Sequence, residues 1–217
     1  MFRACLVKLV RIMNDLWEFI QQCIDEQGID DSHGLAHAKS CVEWVRLLFK
    51  EELEVNEDEL KLAIYAAALH DMCDKKYTDV GKGLTKIREW LLQQGWSLEM
   101  SGALINIINT TSYSKLKRGM VDGSIVFPDH GIYNRVYHIV RHADLLDAYK
   151  VERCYLYQKH IVPDISDAEC WLKVRALFDS RVLPYVRDGW ISLPAAVKIA
   201  KELEVDAMKC LEAKMFN

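Results

Sequence analysis

The chain has little proline, with four in 217 residues, and no long uninterrupted apolar run. Charged residues interrupt the apolar segment 1–20, which therefore lacks the run that a signal peptide or a membrane span requires. Lysine and arginine (28) do not exceed aspartate and glutamate (32), and the net charge of -4 argues against binding to extended nucleic acid. We therefore expect a cytoplasmic protein that binds neither a membrane nor extended nucleic acid.

Paired cysteines are also lacking. The seven cysteines are scattered, odd in number and without a C-x-x-C pair. This pattern is typical of neither a disulfide framework nor a thiolate zinc site, and it favours a reducing compartment. The hydrophobic fraction of 51% and the charged fraction of 28% predict a folded core. A chain of this length without repeats or linkers indicates a single domain, residues 1–217.

Apolar residues recur at three- and four-residue steps, the period of an α-helix. The first stripe consists of Leu6, Val10, Met13, Trp17 and Ile20. Gly28 ends that helix, Asp31-Ser32 offers an N-cap for a second helix, and Asn56 offers one for a third that ends near His70-Asp71. Further helices are predicted over 80–94, 97–111, 131–150, 166–181 and 193–213. The sequence thus predicts an all-α helical bundle, with a strand-like run only at 124–127.

Four polar side chains stand in segments that otherwise predict burial: His37, His70, Asp71 and Asp144. Taken alone, a histidine in an apolar helix is more often a hydrogen-bonded core residue than a ligand. Buried carboxylates, however, are rare without a cationic partner. Because Asp71 and Asp144 lie in two different apolar segments, one divalent cation would satisfy both carboxylates and the imidazoles.

The order His, His-Asp, Asp resembles that of the HD phosphohydrolase superfamily, and in particular the small bacterial-type HD proteins that act on nucleotides. The matching segments, within about 30–160, are Ser32-His33-Gly34-Leu35-Ala36-His37, His70-Asp71-Met72-Cys73-Asp74-Lys75-Lys76 and Asp144-Leu145-Leu146-Asp147-Ala148. Two positions depart from the pattern. Gly34 stands where many members have Asp after the first His, and His142 stands where closer relatives often have Asp.

The resemblance implies an HD-type helical domain with its core at about 30–160 and the terminal helices packed on it. It also implies hydrolysis of a phosphate ester or anhydride, with a nucleotide as the expected substrate, by a water that a divalent cation activates. The implied ligands of this single cation are His37, His70, Asp71 and Asp144. The cation could be manganese, nickel, cobalt, iron, zinc or magnesium, because such a donor set accepts any of them.

The same resemblance suggests the groups that would act on the substrate. His33 would orient water or phosphate, sharing a helix face with His37 if the helix has already begun. Asp74 would steer the nucleophile. Lys75, with Lys76 beside it, would contact a phosphate oxygen. Independently of the resemblance, Lys115 and Arg118 follow the hydroxyl-rich segment 110–114 and are also expected to contact phosphate. An ordinary solvated surface is the alternative for all four of these basic residues.

Two other functions remain open at this point. Some members of the superfamily are di-iron oxygenases with additional histidine ligands, and His130, His138 and His142 lie in the relevant interval. His138 and His142 are otherwise expected at the surface or behind the metal ligands. The other possibility is a non-catalytic module that binds metal or nucleotide. A zinc protease is excluded, because His33-Gly34-Leu35-Ala36-His37 lacks the glutamate of H-E-x-x-H.

Overall fold

The computed structural model describes residues 2–51 and 56–215, with side chains from residue 13 onward. Within these ranges the chain forms ten α-helices and no β-strand, apart from one isolated bridge between Val121 and Ser124. The helices are α1 (Phe2–Gln27), α2 (Leu35–Lys50), α3 (Glu57–Leu69), α4 (Val80–Gln93), α5 (Leu98–Thr110), α6 (Tyr113–Arg118), α7 (Asn134–Asp147), α8 (Val151–Ile161), α9 (Asp167–Leu177) and α10 (Pro194–Met215). The predicted all-α fold is confirmed.

The ends of α1 and α3 follow the predicted signals. Gly28, directly after α1, has a φ of 64°, a left-handed conformation that glycine adopts without strain. Asn56 accepts a hydrogen bond from the backbone N–H of Asp58 at 2.9 Å and so caps α3. The predicted stripe of α1 continues in the buried Ile20, while the side chains of Leu6 and Val10 lie outside the described residues.

Other boundaries differ from the predictions. The N-cap of α2 is Gly34, without a side-chain hydrogen bond, because the Ser32 hydroxyl bonds to Asp30 instead. The predicted helix 131–150 is a 3₁₀ turn followed by α7, and the predicted helix 166–181 is α9 followed by the π-helical turn Phe178–Val182. Helices α6 and α8 were not predicted. The first has only six residues, and the second buries only Val151 and Cys154, so neither shows a clear apolar stripe.

Helices α2, α3 and α7 pack against one another at the centre of the hydrophobic core. α1 packs on α2 and α3, and α10 packs on α7, α8 and α9. The predicted ligands come from the three central helices: His37 from α2, His70 and Asp71 from the end of α3, and Asp144 from α7. Among the described residues, none of the helices combines the length and the apolar composition that crossing a membrane would need.

Candidate metal centre

The four predicted ligands converge in the structure. The Nε2 atoms of His37 and His70 lie 3.4 Å apart. Asp71 Oδ2 is 3.3 Å from the first of these nitrogens and 3.5 Å from the second, and Asp144 Oδ1 is 3.6 Å from both. Donor atoms about 2.1 Å from one cation, at angles of about 90–110°, are about 3.0–3.4 Å apart. The separations are therefore close to those of donors around one metal ion.

Both imidazoles are hydrogen-bonded through Nδ1, on the side of the ring away from the centre. His37 Nδ1 lies 2.7 Å from Asp147 Oδ2, and His70 Nδ1 lies 2.8 Å from the carbonyl oxygen of Ala67. Since these oxygens accept, each Nδ1 carries a proton and donates. Each Nε2 consequently points at the centre, as in histidines that bind a metal through Nε2. Asp147 is fully buried and belongs to the segment that carried the resemblance, but no role was predicted for it.

The carboxylate of Asp71 supports a cation at this position. Its Oδ2 atom is buried and accepts no hydrogen bond from the described residues. A buried carboxylate oxygen without a hydrogen-bond donor is destabilising unless a positive charge lies against it. The unsatisfied atom faces the two Nε2 nitrogens, which is where the cation would lie.

Cys41 is an alternative to Asp71 as the fourth metal ligand. Donor atoms of His37, Cys41, His70 and Asp144 lie within 4.8 Å of one another, and this group could hold a metal ion. Cys41 Sγ, however, is 3.6 Å from both ring nitrogens of His37, so it lies against the face of the ring rather than along the Nε2 lone pair. Burial and neighbouring carboxylates raise the pKa of the Cys41 thiol well above its usual range. We therefore favour Asp71 as the fourth ligand.

Opposite charges balance each other around the centre. Burial alone would raise the pKa of Asp144, but the hydrogen bond from His70 and the positive charges nearby hold it well below its usual range. Burial alone would lower the pKa of His70, yet Asp71 and Asp144 raise it to about 10. Arg153 also adds positive charge. An imidazolium and a guanidinium thus supply the charge that a divalent cation would replace.

The centre opens onto a cavity of about 270 Å³, slightly below the range of about 300–1,000 Å³ that is usual for small-molecule sites. Its polar wall includes Ser32, His33, Asp74, Lys76 and Arg153. Its apolar wall includes Ile108, Leu145, Leu177 and Val182. The predicted catalytic residues His33 and Asp74 therefore share the cavity with three of the predicted ligands, His70, Asp71 and Asp144.

His33 precedes α2, so it does not share a helix face with His37 as considered above. It is fixed by a network instead. Its Nδ1 lies 3.2 Å from Asp30 Oδ2, and the hydroxyls of Ser32 and Tyr77 also bond to that carboxylate. Burial alone would raise the pKa of Asp30, but these hydrogen bonds hold it far below its usual range. Sequence patterns gave no sign of Asp30 or Tyr77, because their contacts with His33 arise only in the folded chain.

The basic residues expected to contact phosphate are placed differently from one another. Lys75 and Lys76 are both exposed, but only Lys76 lines the cavity. Lys115 directs its Nζ to the backbone and side-chain oxygens of Asn109 at 2.9 and 3.0 Å. Arg118, at the end of α6, is exposed. Of these four residues, the structure brings only Lys76 to the cavity.

The histidines considered as iron ligands have other partners. Arg141 Nη2 lies 3.3 Å from His138 Nδ1 and 3.1 Å from His142 Nε2, and the backbone N–H of Ser192 donates to the same nitrogen of His142 at 3.0 Å. His142 is fully buried, so a surface position for it is wrong. His130 Nε2 lies 3.0 Å from Thr110 Oγ1. Among the described residues, none of the three belongs to the group that could hold a metal.

Comparison with protein-family models gives no match, and comparison with curated proteins gives none. Among solved structures, the chain is similar to the crystal structure of a Lactobacillus plantarum protein determined as a structural-genomics target, with a TM-score of 0.67. The two sequences are 18% identical, and the match covers 92% of this chain and 93% of that chain. At this level of identity the likeness shows a shared fold, and any function has to be argued from the residues of the site.

Proposed function

We propose that the protein is a metal-dependent phosphohydrolase that cleaves a phosphate ester or anhydride, with a nucleotide as the expected substrate. The observation that carries the proposal is the convergence of two histidine Nε2 atoms on the unsatisfied Asp71 Oδ2. Two imidazoles and two carboxylates leave coordination positions for water and substrate. A divalent cation bound there would polarise a phosphoryl oxygen and lower the pKa of a coordinated water.

Arg153 is suited to bind the phosphoryl group beside the metal ligands. Its Nε donates to the backbone oxygen of Ser32 at 2.6 Å, and its Nη2 lies 3.2 Å from His37 Nε2. The guanidinium is therefore held at the edge of the centre, on the wall of the cavity. From this position it can donate charge-assisted hydrogen bonds to phosphate oxygens and stabilise the negative charge that develops there.

His33 and Lys76 lie together on the polar wall of the cavity and are also suited to act on the substrate. With Nδ1 of His33 donating to Asp30, its Nε2 is an acceptor, and it lies 3.2 Å from Lys76 Nζ. His33 can thus accept a proton at Nε2 from a group in the cavity, and Lys76 can neutralise a phosphate oxygen. The network of Asp30, Ser32 and Tyr77 keeps the ring in this orientation.

The test is a screen for release of phosphate and pyrophosphate from nucleoside mono-, di- and triphosphates. Chelator-stripped protein is reconstituted separately with manganese, magnesium, nickel and iron. We expect metal-dependent release from at least one class of nucleotide, and its loss in Asp71→Ala. The control is Asp206→Ala, which removes an exposed carboxylate on α10.

Two results would argue for a different function. If the metal-loaded protein releases nothing from any nucleotide while holding about one metal ion per chain, the proposal fails and a binding module becomes the better interpretation. If it holds about two iron ions per chain, an oxygenase becomes the better interpretation.

A further inference from the structure

A second arginine, Arg181, lines the same cavity as His70, Asp71 and Asp144. It belongs to the π-helical turn Phe178–Val182, which follows α9 directly. Turns of this kind are rare, and they occur frequently at functional sites because the extra residue redirects side chains. Here the turn brings both Arg181 and Val182 to the wall of the cavity that also contains His70, Asp71 and Asp144.

Two tyrosines hold the guanidinium of Arg181 in place. Its Nε donates to the hydroxyl of Tyr185 at 2.8 Å. The guanidinium carbon lies 4.2 Å from the centroid of the Tyr113 ring, so the ring stacks on the cation. Tyr113 and Tyr185 are themselves buried and in contact, with ring centroids 5.5 Å apart. The position of the guanidinium is therefore fixed before any ligand binds.

Arg181 has no carboxylate at hydrogen-bonding distance in the described part of the chain, and Asp144 acts on its charge only through space. Among the described residues, no carboxylate lies within ion-pair distance of it, and its hydrogen bond to Tyr185 uses only Nε. Arg153, by contrast, lies 3.9 Å from Asp147 and donates to Ser32. Partial burial of a guanidinium among tyrosine and aliphatic side chains costs free energy unless an anion binds to it. Its two Nη groups can offer paired hydrogen bonds to a phosphate.

We propose that Arg181 recognises a second phosphoryl group of the substrate, while the metal ligands and Arg153 hold the first. The inference rests on the proposed function, because that function places the first phosphoryl group. It narrows the substrate class to compounds with two or more phosphoryl groups, such as nucleoside di- and triphosphates, over phosphomonoesters. Arg181 is in this view a specificity-determining residue, because both arginines lie on the wall of the same cavity.

The experiment is a calorimetric titration of manganese-loaded protein with inorganic pyrophosphate and, separately, with inorganic phosphate. We expect the wild type to bind pyrophosphate more tightly than phosphate. Arg181→Gln should weaken pyrophosphate binding about tenfold or more and change phosphate binding much less, as loss of a charged hydrogen bond predicts. Arg181→Lys keeps the charge without the paired donors, so its pyrophosphate affinity should be intermediate. Arg175→Gln removes an arginine of α9 that pairs with Asp179 of the turn and does not line the cavity, so it should change neither affinity.

If Arg181→Gln weakens the binding of pyrophosphate and of phosphate equally, or weakens neither, the inference is overturned. Thermal unfolding is used to show that the variant is folded. Metal-dependent hydrolysis by the wild type is measured on the same preparation. Hydrolysis together with equal weakening would leave the proposed function intact and reject the role of Arg181. Selective weakening without hydrolysis of any phosphorylated compound would reject the proposed function and retain Arg181 as a binding group.

Discussion

Asp147 Oδ2 lies 2.7 Å from His37 Nδ1, on the side of the imidazole opposite to the metal centre. Its other oxygen accepts hydrogen bonds from the Ser40 hydroxyl and from the indole N–H of Trp44. The carboxylate is fully buried, so these contacts fix it firmly. Asp147 therefore determines which nitrogen of His37 carries the proton and where Nε2 points.

Asp147→Asn should weaken metal binding about 10–100-fold, the effect typical of removing a carboxylate behind a histidine ligand. The amide is a weaker acceptor, and it can also donate to Nδ1 and favour the wrong tautomer of His37. Competition with a chromophoric chelator for zinc or manganese measures the change. Asp206→Asn, at an exposed position on α10, is the control. An Asp147→Asn variant that folds and binds metal as tightly as the wild type would contradict this role.

The four predicted ligands and the residues that contact them differ in how far the sequence could predict them. The convergence of His37, His70, Asp71 and Asp144 on one point could be predicted, because polar groups in apolar helical segments require partners. Asp147 carries the same signal, since it lies in the apolar α7 three residues after Asp144.

Other parts of the site gave no local signal. Arg153 reaches Ser32 over 121 positions of the sequence, and Tyr77 reaches Asp30 over 47. Such contacts depend on how α2, α3, α7 and α8 pack. The same holds for the π-helical turn after α9, because an ordinary helix has the same apolar pattern up to that point.

The choice between Asp71 and Cys41 as the fourth ligand leads to opposite expectations for two variants. Asp71→Asn should abolish tight binding of one divalent ion per chain, because the amide oxygen carries no charge. Cys41→Ala should leave the stoichiometry unchanged, since its sulfur lies against the face of the His37 ring. Metal analysis after dialysis against a weak chelator gives the number of ions per chain. Loss of metal in Cys41→Ala with retention in Asp71→Asn would reverse the assignment.

Titration of His138 should lower the free energy of unfolding at acidic pH. Burial, together with the charges of Arg141 and His130, lowers the pKa of His138 to about 4, against about 6.5 in an unfolded chain. Between these values the unfolded state binds more protons, so the contribution of His138 is complete above pH 6.5 and is lost as the pH falls toward 4. His138→Gln should flatten the decline in the free energy of unfolding across this interval, measured by urea titration at several pH values. Parallel declines in the variant and the wild type would reject this expectation.

His160→Gln provides the control for that experiment. His160 lies near the end of α8 and is exposed. Its replacement should leave the slope of unfolding free energy against pH as it is in the wild type. A slope reduced equally in both variants would show that His138 has no special part in the acid response.

Gly83 links the packing of α4 to the turn that carries Asp71 and Asp74. A β-carbon at Gly83 would lie 2.9 Å from both Cα and Cβ of Cys73, closer than real β-carbons approach other atoms. Gly83→Ala should therefore push the turn outward, destabilise the fold by about 1–3 kcal/mol and weaken metal binding.

Gly102 in α5 is the matched control, because a β-carbon there meets nothing within 4 Å. Gly102→Ala should stabilise the protein by about 0.5–1 kcal/mol, through the helix propensity of alanine. Urea unfolding of the two variants measures both effects, and shifts of the same sign would show that contact with Cys73 does not limit residue 83.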